Sequence, residues 1–178
     1  MLLKNNVLSL FLENPTTEFY LRELAKRAKC STTAVHSSAT ELIKDGVVLQ
    51  QRKGVYRVFK ANRLAEAFRN LKRFYTADKL LSSGLIDHLE TLFHHPEAVV
   101  LFGSAAKGED TEKSDLDIFV LASPRDVDMD AYESKLGKSI RLLVFDNAML
   151  ERAKKKNPEL VNNILNGLIL RGYLKVLP

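Results

Sequence analysis

Two aspartates one residue apart, Asp115 and Asp117, open an apolar run, Ile118-Phe119-Val120-Leu121. Eleven residues ahead of Asp115, Gly103-Ser104 closes another apolar run, Ala98-Val99-Val100-Leu101-Phe102. Alternate residues of a strand point to one face, so a strand entered here aims both carboxylates to the same side. Clustered carboxylate oxygens are what a hard divalent cation takes as ligands. A Gly-Ser turn before a helix offers backbone N–H groups that a phosphate can approach. Metal, phosphate and paired carboxylates are the parts of phosphoryl or nucleotidyl transfer. Taken alone, Asp-x-Asp is also an ordinary strand entrance with Ser114 closing a local hydrogen bond. The upstream Gly103-Ser104 favours the chemical reading.

Elements must hold these residues in place. The pattern predicts strands over 98–102, 116–121 and Ile140–Phe145, a helix near Met129–Leu136, and a polar loop from Lys107 to Lys113, which together make a small α/β unit. Asn157-Pro158-Glu159 reads as a helix start, with Asn as cap and Pro at the first position. Leu160, Ile164 and Leu165 face inward, and Gly167 ends that helix. Leu168-Ile169-Leu170 and Tyr173-Leu174-Lys175-Val176 are short β-like runs. His94-His95 offers two imidazoles, but adjacent side chains diverge and Pro96 marks a loop, so a metal site is disfavoured there.

The 178-residue chain carries a net charge of +5, unevenly spread. Residues 1–75 hold 14 Lys/Arg against 6 Asp/Glu, whereas residues 76–178 hold 13 against 16. A basic first half and a mildly acidic second half suggest two modules with different partners. Cys30 is the single cysteine, which excludes a disulfide framework and a cysteine metal cage. The N-terminal residues lack signal-peptide order, and no apolar run reaches the ~18 residues of a membrane span. A reducing, cytoplasmic setting without membrane contact is the expectation.

In the first half, Val7, Leu8, Phe11 and Leu12 recur at helical spacing until Asn14-Pro15. Thr17-Glu18-Phe19-Tyr20 is a strand or a turn. Leu21 to Lys29 is a second helix with Leu21, Leu24, Ala25 and Ala28 inside. Ser31 caps a third, which runs to Asp45 and buries Val35, Ala39, Leu42 and Ile43. Val47–Arg52 and Val55–Phe59 are β-rich and joined at Lys53-Gly54 as a tight hairpin. Leu64, Phe68, Leu71 and Phe74/Tyr75 form an apolar stripe on a connecting helix reaching about Leu81, suited to interdomain or homodimer packing.

Phe19-Tyr20-Leu21-Arg22-Glu23-Leu24-Ala25 and Leu42-Ile43-Lys44-Asp45-Gly46-Val47, in this element order, resemble the winged helix-turn-helix family over about residues 1–62. The resemblance implies double-stranded DNA binding. The third helix would enter the major groove with Thr32, Thr33, His36, Ser37 and Thr40. The wing residues Arg52, Lys53 and Arg57, with Lys26, Arg27 and Lys29, would neutralise phosphates.

In the second half, Leu101-Phe102-Gly103-Ser104-Ala105-Ala106-Lys107-Gly108 followed by Ser114-Asp115-Leu116-Asp117-Ile118 resembles the signature of the DNA polymerase β-like nucleotidyltransferases, their minimal branch most of all. Ile164-Leu165-Asn166-Gly167-Leu168-Ile169-Leu170 resembles the ends of that branch. The expected fold is α+β: a winged helix-turn-helix over 1–62, a connecting helix over 63–82 and a polymerase β-like α/β domain over 83–178. The resemblance implies transfer of a nucleoside monophosphate from Mg-NTP to an acceptor. Asp115 and Asp117 would bind two Mg²⁺ ions and act as the catalytic acids. Gly103 and Ser104 would hold phosphates, with Lys107 adding positive charge.

One position departs from the family pattern. The third carboxylate belongs on the next strand, where Arg141 stands instead. Asp146, five residues on, lies about 16 Å further along a regular strand and faces the other way. Its expected role is to cap the helix Asn147–Lys155. Glu109, Asp110 and Glu112 remain as other sources of an acid. The readings are therefore an active nucleotidyltransferase, a DNA-binding regulator with a degenerate nucleotidyltransferase domain, and an antitoxin-like partner of a HEPN-type toxin.

Overall fold

Residues 6–175 are described by the computed structural model, and the chain falls into two units, Met1–Tyr75 and Thr76–Pro178. In the first unit the order is α1 (Asn6–Glu13), β1 (Glu18–Tyr20), α2 (Leu21–Ala28), α3 (Thr32–Lys44), β2 (Val48–Lys53) and β3 (Tyr56–Ala61). Val7, Leu8, Phe11 and Leu12 bury one face of α1. Leu24, Ala25 and Ala28 do the same for α2, and Val35, Ala39 and Leu42 for α3. Phe11 and Phe19 meet edge to face with ring centroids 5.4 Å apart, a favoured aromatic arrangement. Ser31 caps α3, its side chain accepting the Ala34 N–H at 3.2 Å.

The strands form an antiparallel sheet in the order β1-β3-β2. Lys53 pairs with Tyr56, so the hairpin loop is Gly54-Val55 rather than Lys53-Gly54. The left-handed position falls on Gly54, at φ +61°, where no Cβ has to be accommodated.

The connecting helix α4 (Glu66–Ser83) corrects the proposed stripe. Phe68 and Tyr75 are buried in the first unit's core and Leu71 packs against it, while Leu64 and Phe74 are exposed. Leu64 precedes the helix, and at 100° per residue Phe74 lies off the face that Phe68, Leu71 and Tyr75 share. The Tyr75 hydroxyl donates to Glu13. Further along, Leu80 enters the core of the second unit.

The second unit continues with α5 (Leu85–Leu92), β4 (Ala98–Phe102), α6 (Gly103–Lys107), β5 (Leu116–Leu121), α7 (Asp130–Leu136), β6 (Ile140–Phe145), α8 (Asn147–Lys156), α9 (Pro158–Leu165) and β7 (Leu168–Gly172). Its sheet order is β6-β5-β4-β7. β4 is antiparallel to β5 and β7, and β5 is parallel to β6. Every residue of β4 is buried, because alternate side chains enter two cores. Val99 and Leu101 join Leu85, Ile86 and Leu89 of α5. Ala98, Val100 and Phe102 join Leu150, Val161 and Ile164 of α8 and α9.

Asp146 caps α8 by accepting the Met149 N–H at 2.6 Å, and Asn157 caps α9 through the Leu160 N–H at 3.1 Å. Ile164 of α9 is buried, and Leu160 and Leu165 pack partly buried against the same core, as their spacing predicts; Val161 joins them. A Cβ on Gly167 would meet the Leu101 carbonyl oxygen at 2.6 Å, which is why the α9–β7 turn packs tightly on β4. Tyr173–Lys175 forms no strand, and Val176 lies outside the described residues.

Candidate active site

The end of β4 and the starts of β5 and β6 meet at one end of the sheet. Phe102 pairs with Asp117, and Asp117 with Arg141, so the three form one row across three strands. Aligned residues on neighbouring strands face the same side, which brings the Arg141 guanidinium over the aspartates. Its Nη1 donates to Asp117 Oδ1 at 3.1 Å and its Nη2 to Asp115 Oδ2 at 2.9 Å. The planar fork of arginine suits a bridge of this kind. The Arg141 side chain is 68% exposed, against 42% for Asp115 and 16% for Asp117.

Gly103 makes room for this arrangement. It has φ +71°, and a Cβ there would lie 2.3 Å from Asp117 Oδ2. Burial pushes the Asp117 carboxyl above its ordinary pKa; Arg141 opposes that rise and the neighbouring Asp115 adds to it. The arginine therefore compensates the buried charge only in part. Ser104 follows, half-buried, and Lys107 ends α6 exposed to solvent.

The loop between α6 and β5 is held from below. Asp110 is buried, and Lys138 Nζ lies 2.6 Å from its Oδ2 and 2.7 Å from the Thr111 carbonyl oxygen. Ser114 Oγ accepts the Thr111 N–H at 2.9 Å, the local bond expected for that serine. The lysine pair withdraws Asp110 as a source of the third acid. Among the described residues no three Asp, Glu, His or Cys side chains gather as a metal site. Lys138 itself had no signal in the sequence, because its partner lies 28 positions away in a loop.

Two carboxylates beside Gly103 fit a single divalent cation, with Asp115 Oδ1 and Asp117 Oδ2 outside the arginine bonds. They do not fit a pair of ions held by three shared acids, since Arg141 holds the third position.

Compared with known families, residues 85–171 match the family described as Polymerase beta, Nucleotidyltransferase. The matched stretch contains the Gly103-Ser104 turn, Asp115, Asp117 and Arg141. Neither a curated protein nor a solved structure matches the chain. Among the described residues no helix is long and apolar enough to cross a membrane.

A second candidate surface lies on the first unit. Thr32, Thr33, His36, Ser37 and Thr40 are exposed and line one open depression of α3 with Leu21 and Glu41. Thr40 Oγ1 donates to the His36 carbonyl oxygen at 2.8 Å. On the hairpin, Arg52 stands opposite Arg57, and its Nε donates to the Gly54 carbonyl oxygen at 3.1 Å. Lys53 is tied to Glu18 at 2.5 Å, which raises its pKa. Arg27 pairs with Glu23 at 2.9 Å and lies over the Phe19 ring. The sequence missed an exposed edge-to-face pair beside the hairpin, Tyr20 and Tyr56, with centroids 6.0 Å apart.

Proposed function

We propose that residues 83–178 form a nucleotidyltransferase that takes Mg-NTP at the end of β4 and passes its nucleoside monophosphate to an acceptor. The observation that carries this reading is the convergence of Asp115 and Asp117 beside Gly103, inside the stretch that matches the family. Gly103 and Ser104 contact the phosphates, Lys107 adds charge near them, and the two aspartates hold the magnesium that accompanies the nucleotide. Magnesium when bound supplies charge neutralisation on the phosphates; the chain supplies position, holding the nucleotide for in-line attack.

Residues 1–62 act as a winged helix that binds duplex DNA, joined through the helix over 63–82. The supporting features are the polar exposed face of α3, the paired arginines of the hairpin and the basic balance of this half. The test is incubation with Mg²⁺, labelled NTPs and candidate acceptors. Transfer that survives unchanged in Asp115→Asn/Asp117→Asn removes the assignment.

One observation favours a second reading. A guanidinium offers donors and no acceptor, so Arg141 cannot activate an attacking hydroxyl as a carboxylate would, yet it stands across from Asp117. In this reading the protein is a DNA-binding regulator whose second domain does not transfer. It predicts duplex binding without NTP turnover, and turnover appearing in Arg141→Asp.

A further inference from the structure

The Arg141 guanidinium is already where a cation belongs, touching one oxygen of each aspartate at 3.1 and 2.9 Å. Both contacts point at the carboxylates that the nucleotidyltransferase reading gives to the metal. A guanidinium and a divalent cation cannot both neutralise the same two carboxylates at full strength, because each draws on the same negative charge. The arginine is also well placed to leave. Its side chain is 68% exposed and rises from a strand at the edge of the sheet, with β5 as the only strand beside β6 among the described residues. Swinging the side chain away into water breaks two hydrogen bonds and moves no backbone.

We propose that Arg141 is the resident counter-ion of this site, that a single divalent cation displaces it from Asp115 and Asp117, and that the released guanidinium then binds the phosphates of the nucleotide. The exchange gives the two carboxylates a cationic partner in both states. Without metal, one arginine faces two carboxylates. With metal and nucleotide, the cation takes the carboxylates and the arginine answers the added phosphate charge, for which its planar donor array is suited. This assignment rests on the nucleotidyltransferase reading and gives Arg141 a nucleotide-binding role in it.

The test separates the two claims. Mn²⁺ alone is titrated against the full chain by the electron paramagnetic resonance signal of free Mn²⁺, and α,β-methylene ATP is then titrated at saturating Mn²⁺. The expected stoichiometry is one Mn²⁺. Arg141→Met, which keeps most of the side-chain stem, is expected to bind Mn²⁺ about tenfold more tightly and the nucleotide more weakly, since two charge pairs are removed from competition. Arg141→Gln is the second variant, and thermal melting checks that both remain folded. Opposite-signed changes support the exchange; a merely structural arginine would weaken both ligands or neither. Unchanged Mn²⁺ affinity in both variants, or two Mn²⁺ ions in the wild type, overturns it. If Asp115→Asn/Asp117→Asn still binds Mn²⁺ and nucleotide as the wild type does, the underlying site assignment fails, whatever the arginine does.

Discussion

Lys138 Nζ lies 2.6 Å from Oδ2 of the buried Asp110, tying the loop that precedes Asp115 to the residues that lead into β6. A second donor bond to the Thr111 carbonyl oxygen at 2.7 Å makes the lysine a two-point anchor. Lys138→Met removes the ammonium bonded to this buried carboxylate, and breaking a pair of this kind destabilises by about 3 kcal/mol. Replacing both partners, as Asp110→Leu/Lys138→Met, is expected to recover much of that loss. Urea unfolding of the singles and the double measures both; equal destabilisation in all three would show that the pair is not the source.

Gly103→Ala addresses the site directly. The added methyl would lie 2.3 Å from Asp117 Oδ2 on a residue at φ +71°. The left-handed backbone alone costs about 1–2 kcal/mol with a side chain, and Asp117 has to move as well. The variant should unfold earlier and lose metal affinity together; a variant as stable and as tight as wild type contradicts the close approach.

The pH dependence follows from the raised pKa of Asp117. An acid whose pKa is higher folded than unfolded favours the folded state most when protonated. That benefit is complete below the ordinary value of 3.8 and is lost as pH rises through the raised one. Asp117→Asn cannot ionise, so its stability relative to wild type should improve between pH 3.5 and pH 7, the span about the ordinary and raised carboxylate range. Arg141→Met should enlarge the difference, because the arginine opposes the rise. Denaturant midpoints across that range decide it, and a flat difference refutes the assignment.

His94 ends α5 in the left-handed conformation, at φ +53°. The His94 N–H reaches the Thr91 carbonyl at 3.2 Å and the His95 N–H the Glu90 carbonyl at 2.9 Å, the paired bonds of a Schellman end. Glycine suits that position better than histidine. His94→Gly is expected to stabilise by about 0.5–1 kcal/mol, read as a higher melting temperature.

For the first unit, Arg52→Ala and Arg57→Ala should each weaken duplex binding across all sequences and lower the salt slope by about 1. Lys53→Ala should do less, since Lys53 is tied to Glu18 at 2.5 Å. Fluorescence anisotropy against salt concentration measures each slope; no duplex binding at low salt removes the DNA reading.

The sequence carried most of the strand ends and caps, because each rests on local chemistry. Ser31, Asp146 and Asn157 all accept the backbone N–H bonds expected of them. The alignment of Arg141 with Asp117 was also legible, since the apolar alternation of β6 fixes which side each residue faces. What escaped were relations between distant positions. Lys138 and Asp110 have no shared period, and the exposure of Phe74 beside buried Tyr75 depends on which helix face meets the core. The hairpin turn moved by one residue because Lys53 prefers a cross-strand partner to a place in the loop.

The two-sided pairing of β4 sets the order in which this protein can be made. During synthesis the residues of Met1–Tyr75 emerge ahead of Thr76–Pro178 and can fold while those are still being added. The strand that ends at Phe102 cannot complete its sheet so early, because one of its two neighbours is Leu168–Gly172. Any function of the basic first half is therefore available on the nascent chain, whereas the paired aspartates become a finished site only once Leu168–Gly172 has been made.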